Sequence, residues 1–112
     1  MVLRLAAHLA LLAAFLAAPA LAQSRFPPIP HEAQRGVIRH LKEMAVAVDK
    51  RPVQLAPGAQ IRNQQNLIIV PLSIPPGGAA ADYILDSDGQ LIRAWLLTPE
   101  ELAQPKPNPG GG

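Results

Sequence analysis

Apolar residues fill the first 22 positions almost without break, then recur in short alternating stretches separated by Pro, Gly and Asp-Gly. The clearest alternation lies near the C-terminus. Residues 80–86 (AADYILD) and 91–97 (LIRAWLL) flank Ser87-Asp88-Gly89-Gln90, and Asp-Gly is a strong two-residue hairpin signal. With Asp88 and Gly89 as the loop, Leu85 falls opposite Ile92, Tyr83 opposite Ala94 and Ala81 opposite Leu96. That face is wholly apolar and predicts the core side. The other face pairs Asp86 with Leu91, Ile84 with Arg93 and Asp82 with Trp95.

A helix start follows at once. Thr98 is placed as N-cap, Pro99 as first helical residue and Glu101 as the reciprocal member of a capping box. Leu97 and Leu102 take the positions of a hydrophobic staple, and Pro105 ends the helix after about a turn and a half.

Upstream, residues 66–71 (NLIIVP) are too short for a helix and predict a buried strand. Residues 44–49 (MAVAVD) alternate as a second strand. Lys50-Arg51-Pro52 and Pro57-Gly58 predict turns on either side of Val53-Gln54-Leu55, with residues 59–62 as a further short strand. Residues 31–43 carry a helical spacing of Ala33, Val37, Leu41 and Met44. Gly36 would cost that helix about 1 kcal/mol, and the stretch runs straight into a strand, so a strand from about Gly36 is preferred.

Five to six short strands with turns every 8–12 residues predict a mainly β chain, a small rolled sheet or β-barrel closed by a short C-terminal helix. SH3-like and OB-like barrels both fit. An OB-type barrel usually carries a helix between its third and fourth strands, where this chain has Pro71 to Gly78 (PLSIPPGG), so the SH3-like form fits slightly better. The string 55–62 (LAPGAQIR), together with the hairpin and 95–101 (WLLTPEE), resembles small uncharacterised exported proteins of proteobacteria. The resemblance spans roughly residues 36–102. It implies an exported β-rich domain and carries no activity or site with it.

Composition sharpens the division of the chain. Of 55 apolar residues, 19 lie in residues 1–22. Arg4, the apolar run from Leu5 to Ala18 and the small-x-small ending at Ala22 before Gln23 form the three parts of a secretory signal peptide. The run spans roughly 21 Å as a helix, short of the ~30 Å hydrocarbon core, so no membrane span is expected after cleavage between Ala22 and Gln23. The expected destination is the periplasm, or secretion beyond it. Residues 23–35 predict an extended Pro-rich arm, 36–103 the β domain and 104–112 a disordered Pro/Gly-rich tail. The chain has no cysteine, so stability rests on packing alone. Cleavage leaves nine basic residues against eight acidic ones, a balance that argues against nucleic acid as partner.

Chemistry finds little support. His31 and His40 lack zinc-type spacing, and a calcium loop with Gly89 at its sixth position would need ligands from Ile84 and Trp95. Ser24, Ser73 and Ser87 lack a nucleophile elbow, and Glu100 and Glu101 are accounted for by capping. No catalytic, cofactor or metal residue is assigned, and no enzyme is expected.

What remains is a surface. Trp95, Ile84, Leu91 and Leu97 share the second hairpin face with Arg93, Asp82 and Asp86 around them, an apolar patch rimmed by charge. Leu72 and Ile74 in the proline-rich connection are a second candidate, as lid or docking element. The competing reading has the Trp95 patch covered in cis by the short helix, another strand or residues 26–30. The expected function is a non-enzymatic module binding a protein or other envelope component. The alternative is a structural or stress-related envelope protein with no discrete site.

Overall fold

The computed structural model describes residues 24–106, so the expected signal peptide, its expected Ala22/Gln23 junction and residues 107–112 lie outside the described residues. Six strands form: β1 (Gln34–Lys42), β2 (Ala45–Val48), β3 (Arg51–Arg62), β4 (Ile68–Ile69), β5 (Ala79–Leu85) and β6 (Leu91–Leu96), followed by helix α1 (Pro99–Ala103). A 3-10 turn at Pro71–Ser73 joins β4 to β5. The strand preference for residues 36–43 holds, and β1 begins two residues earlier, inside the expected arm.

The strands close on themselves in the order β1-β2-β3-β6-β5, and β4 hangs from β3 outside the ring. Neighbours are antiparallel except at the β3–β6 seam, which is parallel. This is the order of an OB-type barrel, and the slight preference for an SH3-like meander is corrected. The helix usual at that connection is replaced. β4 and the 3-10 turn carry the chain from β3 to β5, and Ile74 enters the core from this connection.

β3 differs most from expectation. Pro57-Gly58 is no turn between strands but a bend within one strand of 12 residues. Residues 51–54 pair with β2, and the stretch from Leu55 onward pairs with β6 across an irregularity between Leu55 and Gln60. Gly58 takes the positive φ of 78° that the bend requires. The turn expected at Lys50-Arg51-Pro52 sits one residue earlier, at Asp49 and Lys50, both with positive φ, as a two-residue hairpin requires.

The hairpin register matches expectation for Ala81↔Leu96, Asp82↔Trp95, Tyr83↔Ala94 and Ile84↔Arg93. It then slips, so that Leu85 faces Leu91. The Asp86 carboxylate accepts from the amides of Asp88 and Gln90, both at 2.9 Å, which widens the loop beyond two residues. The slip turns Leu91 into the core, where it is fully buried, and leaves Ile92 half-buried. Leu91 packs there with Ile38, Val46, Val48, Leu55, Ile61 and Leu96. Tyr83 joins them and donates its phenol O–H to Gln34 Oε1 at 3.2 Å. Burial, with the Asp49 charge, pushes that phenol above its ordinary value.

One glycine in β1 is fixed by a neighbour. The Asp49 carboxylate accepts from the Val37 amide at 2.9 Å, and a Cβ at Gly36 would lie 2.5 to 2.9 Å from that carboxylate. Gly36→Ala should therefore cost about 1 to 2 kcal/mol, because Asp49 must swing away and leave the Val37 amide. Thermal melting checks this: in an Asp49→Ala background the same substitution should cost little, and an equal cost there would remove the proposed cause.

Candidate functional site: the roofed outer face and the apolar flank

Register places four outward residues in one row across four strands: Arg35 on β1, Asp82 on β5, Trp95 on β6 and Arg62 on β3. Both ends of the described stretch, residues 24–30 and 104–106, lie over this row. Pro27, Pro28 and Pro30 line a small hollow with Trp95, Arg62 and Arg93, and Trp95 is only 6% exposed. The Pro-rich arm is thus a roof over Trp95, as a polyproline segment commonly packs on an aromatic ring. Of the two readings of the Trp95 patch, the cis-covered one describes the chain.

Arg25 holds the roof down. Its guanidinium forms a two-pronged pair with Glu101, Nε to Oε2 at 2.8 Å and Nη2 to Oε1 at 2.7 Å. It also donates to the carbonyls of Leu96 at 2.8 Å and Asn63 at 3.2 Å, and its side chain is 4% exposed. Glu101 meanwhile accepts from the Thr98 amide while Thr98 Oγ1 accepts from the Glu101 amide, completing the expected capping box. One carboxylate thus caps α1 and anchors the arm. Burial alone would raise its pKa; the hydrogen bonds from Arg25 and Thr98, with the Arg25 charge, outweigh burial and hold it below 4.5.

A second anchor sits beside it. Asp82, buried, pairs with Arg35 at 2.9 Å and Lys106 at 3.0 Å. Arg35 also donates to the Gln104 carbonyl at 2.6 Å. Residues 104–106, expected to belong to a disordered tail, are therefore docked on the barrel. Between the two ends lies an open cleft of about 500 Å³ bordered by His31, Arg35, Asp82, Glu101 and Lys106. Its acids are already matched by Arg25, Arg35 and Lys106, which leaves no carboxylate free for general-base work.

The sequence candidates separate on this framework. Trp95 is roofed, Ile84 is half-buried beside Arg93, and Arg93 is exposed. Leu91 and Ile74 belong to the core and are withdrawn as surface residues, the first through the hairpin slip, the second because it is the core's plug. Leu72 alone of the connection candidates projects outward, 76% exposed.

Leu72 has company that the sequence reading missed. Leu67, Ile68 and Val70 are each more than half exposed, so the strand expected to be buried at 66–71 is instead an apolar flank. β4 lies outside the closed ring and has only β3 beside it. Phe26, 87% exposed, adjoins it through its carbonyl, which accepts from Asn66 Nδ2 at 3.1 Å. The missed signal is charge: residues 63–81, between Arg62 and Asp82, contain no ionisable side chain.

A further depression of about 330 Å³ is lined by Val37, Arg39, Ala47, Asp49, Lys50 and Gly77. No aromatic side chain lines it, so it lacks the stacking platform of single-strand binders. Among the described residues no three His, Asp or Glu side chains gather as a metal site, and His40 instead meets the Glu43 carbonyl at 3.1 Å. No protein-family model, curated protein or solved structure matches the chain.

Two outcomes follow from the Arg25 anchor. Arg25→Ala should lower stability by about 2 to 3 kcal/mol and free the roof, shifting Trp95 emission to the red and opening it to iodide; unchanged emission and quenching would show that the arm holds without it. Glu101, with its folded pKa below the unfolded one, stabilises fully above the unfolded value and loses that contribution as pH falls through the folded value. The melting-temperature gap between the native chain and Glu101→Gln should therefore be widest near neutrality and narrow below pH 4.5; a gap independent of pH would contradict the pairing.

Proposed function

We propose that this chain is an exported, non-enzymatic protein-binding module that works in the cell envelope through the apolar flank of residues 67–72. One observation carries the reading: four large apolar side chains, Leu67, Ile68, Val70 and Leu72, stand exposed on a charge-free connection whose next residue but one, Ile74, is pinned in the core. A flank held out by its own anchor presents a fixed shape, and exposed apolar patches of this kind mark contact sites. The signal-like first 22 residues support export, and among the described residues no helix is long and apolar enough to cross a membrane.

The alternative, a structural envelope protein with no discrete site, draws support from the roofing of Trp95, which takes the one tryptophan off the surface. Photo-crosslinking in intact cells separates the two. A photoreactive residue at Leu72 should give discrete protein adducts, whereas the same residue at Asp88, exposed in the hairpin turn, should give none. Equal labelling at both positions, or none at Leu72, would leave the structural reading standing.

A further inference from the structure

Within the flank, the backbone is unsatisfied on one side. β4 is the one described strand with a single neighbour, because β2 and β3 pair to close the other end of the sheet. The Leu67 carbonyl turns toward β3 to accept from the Asn63 amide at 2.9 Å, and Ile69 pairs with Ile61. Antiparallel alternation then turns the amide and carbonyl of Ile68 away from β3, toward the open side. The extended backbone continues through Val70, with φ −84° and ψ 155°, and stops at Pro71, which has no amide to donate.

We infer that the partner of this flank is a second copy of the chain, its β4 paired antiparallel with the first about a twofold axis through Ile68. The inference rests on the flank being a protein-binding surface, and names what binds there. Three features single out a like partner. First, a twofold at Ile68 lets the two copies exchange both outward backbone bonds, sets Ile68 against Ile68, and places Leu67 opposite Ile69 and Val70 opposite Asn66 of the other copy. Second, monomeric sheets guard such edges with charges, most often lysine, and here 19 consecutive residues carry none. Self-pairing meets no like-charge repulsion, while a charged partner would find nothing to pair with. Third, a lipid surface would draw on free basic residues beside the apolar ones, and the two arginines nearest β4 are already engaged, Arg62 by the Asn66 carbonyl and Arg25 by Glu101.

Size and length set the character of the dimer. The exposed apolar side chains amount to several hundred Å², below the roughly 800 Å² per partner of a standard stable interface. The association should be reversible and concentration-dependent. Pairing that ends at Pro71 and closes about a twofold gives a dimer and no filament.

Sedimentation equilibrium on the exported, purified protein tests this from low-micromolar to near-millimolar concentration. The weight-average mass should climb from monomer toward dimer. Ile68→Lys should weaken association at least about ten-fold by placing two charges face to face. Ile68→Pro should do the same by deleting an amide that β3 does not use. Both variants should keep the parent's circular dichroism and cooperative melt, since Ile68 is exposed. A monomer at every concentration would overturn the inference, as would a dimer indifferent to both substitutions. Binding to anionic phospholipid vesicles that these substitutions abolish, without dimerisation, would overturn it in favour of a lipid surface. If the protein stays monomeric while Leu72 crosslinks to a different envelope protein, the self-pairing falls and the binding-module reading survives. If Leu72 crosslinks to nothing, both fall.

Discussion

Closure of the ring by β3 is the constraint on which the rest depends. One strand of 12 residues must pair with β2 in its first third and with β6 from Leu55 onward, across its bend. Without the bend at Pro57-Gly58 the strand would continue along β2 and leave β6 with an open edge. The small core has no disulfide to compensate for such an edge. The parallel β3–β6 seam is the geometric result, since a strand that leaves one end of the ring and returns through β5 and β6 meets β3 running the same way. Backbone pairing, burial and topology are thus settled at one irregular stretch of chain.

Closure also decides what is left over. The connection from β3 to β5 must cross an end of the barrel, and it does so with a two-residue strand, a 3-10 turn and one inserted side chain, Ile74. That solution plugs the core but strands β4 outside the ring. On the far side of β3, the row of Arg35, Asp82, Trp95 and Arg62 is a polar-aromatic face too costly to leave half-dry. The two ends of the described stretch cover it, each fixed by an ion pair to a carboxylate of the domain, and no buried side-chain nitrogen or oxygen among the described residues lacks a partner.

What could be read from the sequence follows from the range of the interactions. The β5–β6 register, the capping box and the strand character of β1 are local, and alternation, Asp-Gly and Thr-x-x-Glu express them directly. The slip at Leu91 is also local, but it depends on the Asp86 carboxylate choosing two amides of its own loop, which no alternation pattern encodes. Pro57-Gly58 reads as a turn because the same residues serve to end a strand or to bend one; only the partner strand decides. Arg25 and Glu101 are 76 residues apart, and Glu101 already had a sufficient role as a cap. The flank escaped for a different reason: an apolar run implies burial only if the fold supplies a second surface to cover it.

The Arg25–Glu101 pair has a kinetic meaning as well. Arg25, near the start of the described residues, finds its anchor only in the last helix, and the β3–β6 seam likewise waits for most of the described residues. Contacts of such sequence separation form late, because the loop they close is long. No N-terminal portion of this chain can finish the barrel before β6, residues 91–96, arrives. A polypeptide with that property stays without its closed core until its last strand is made.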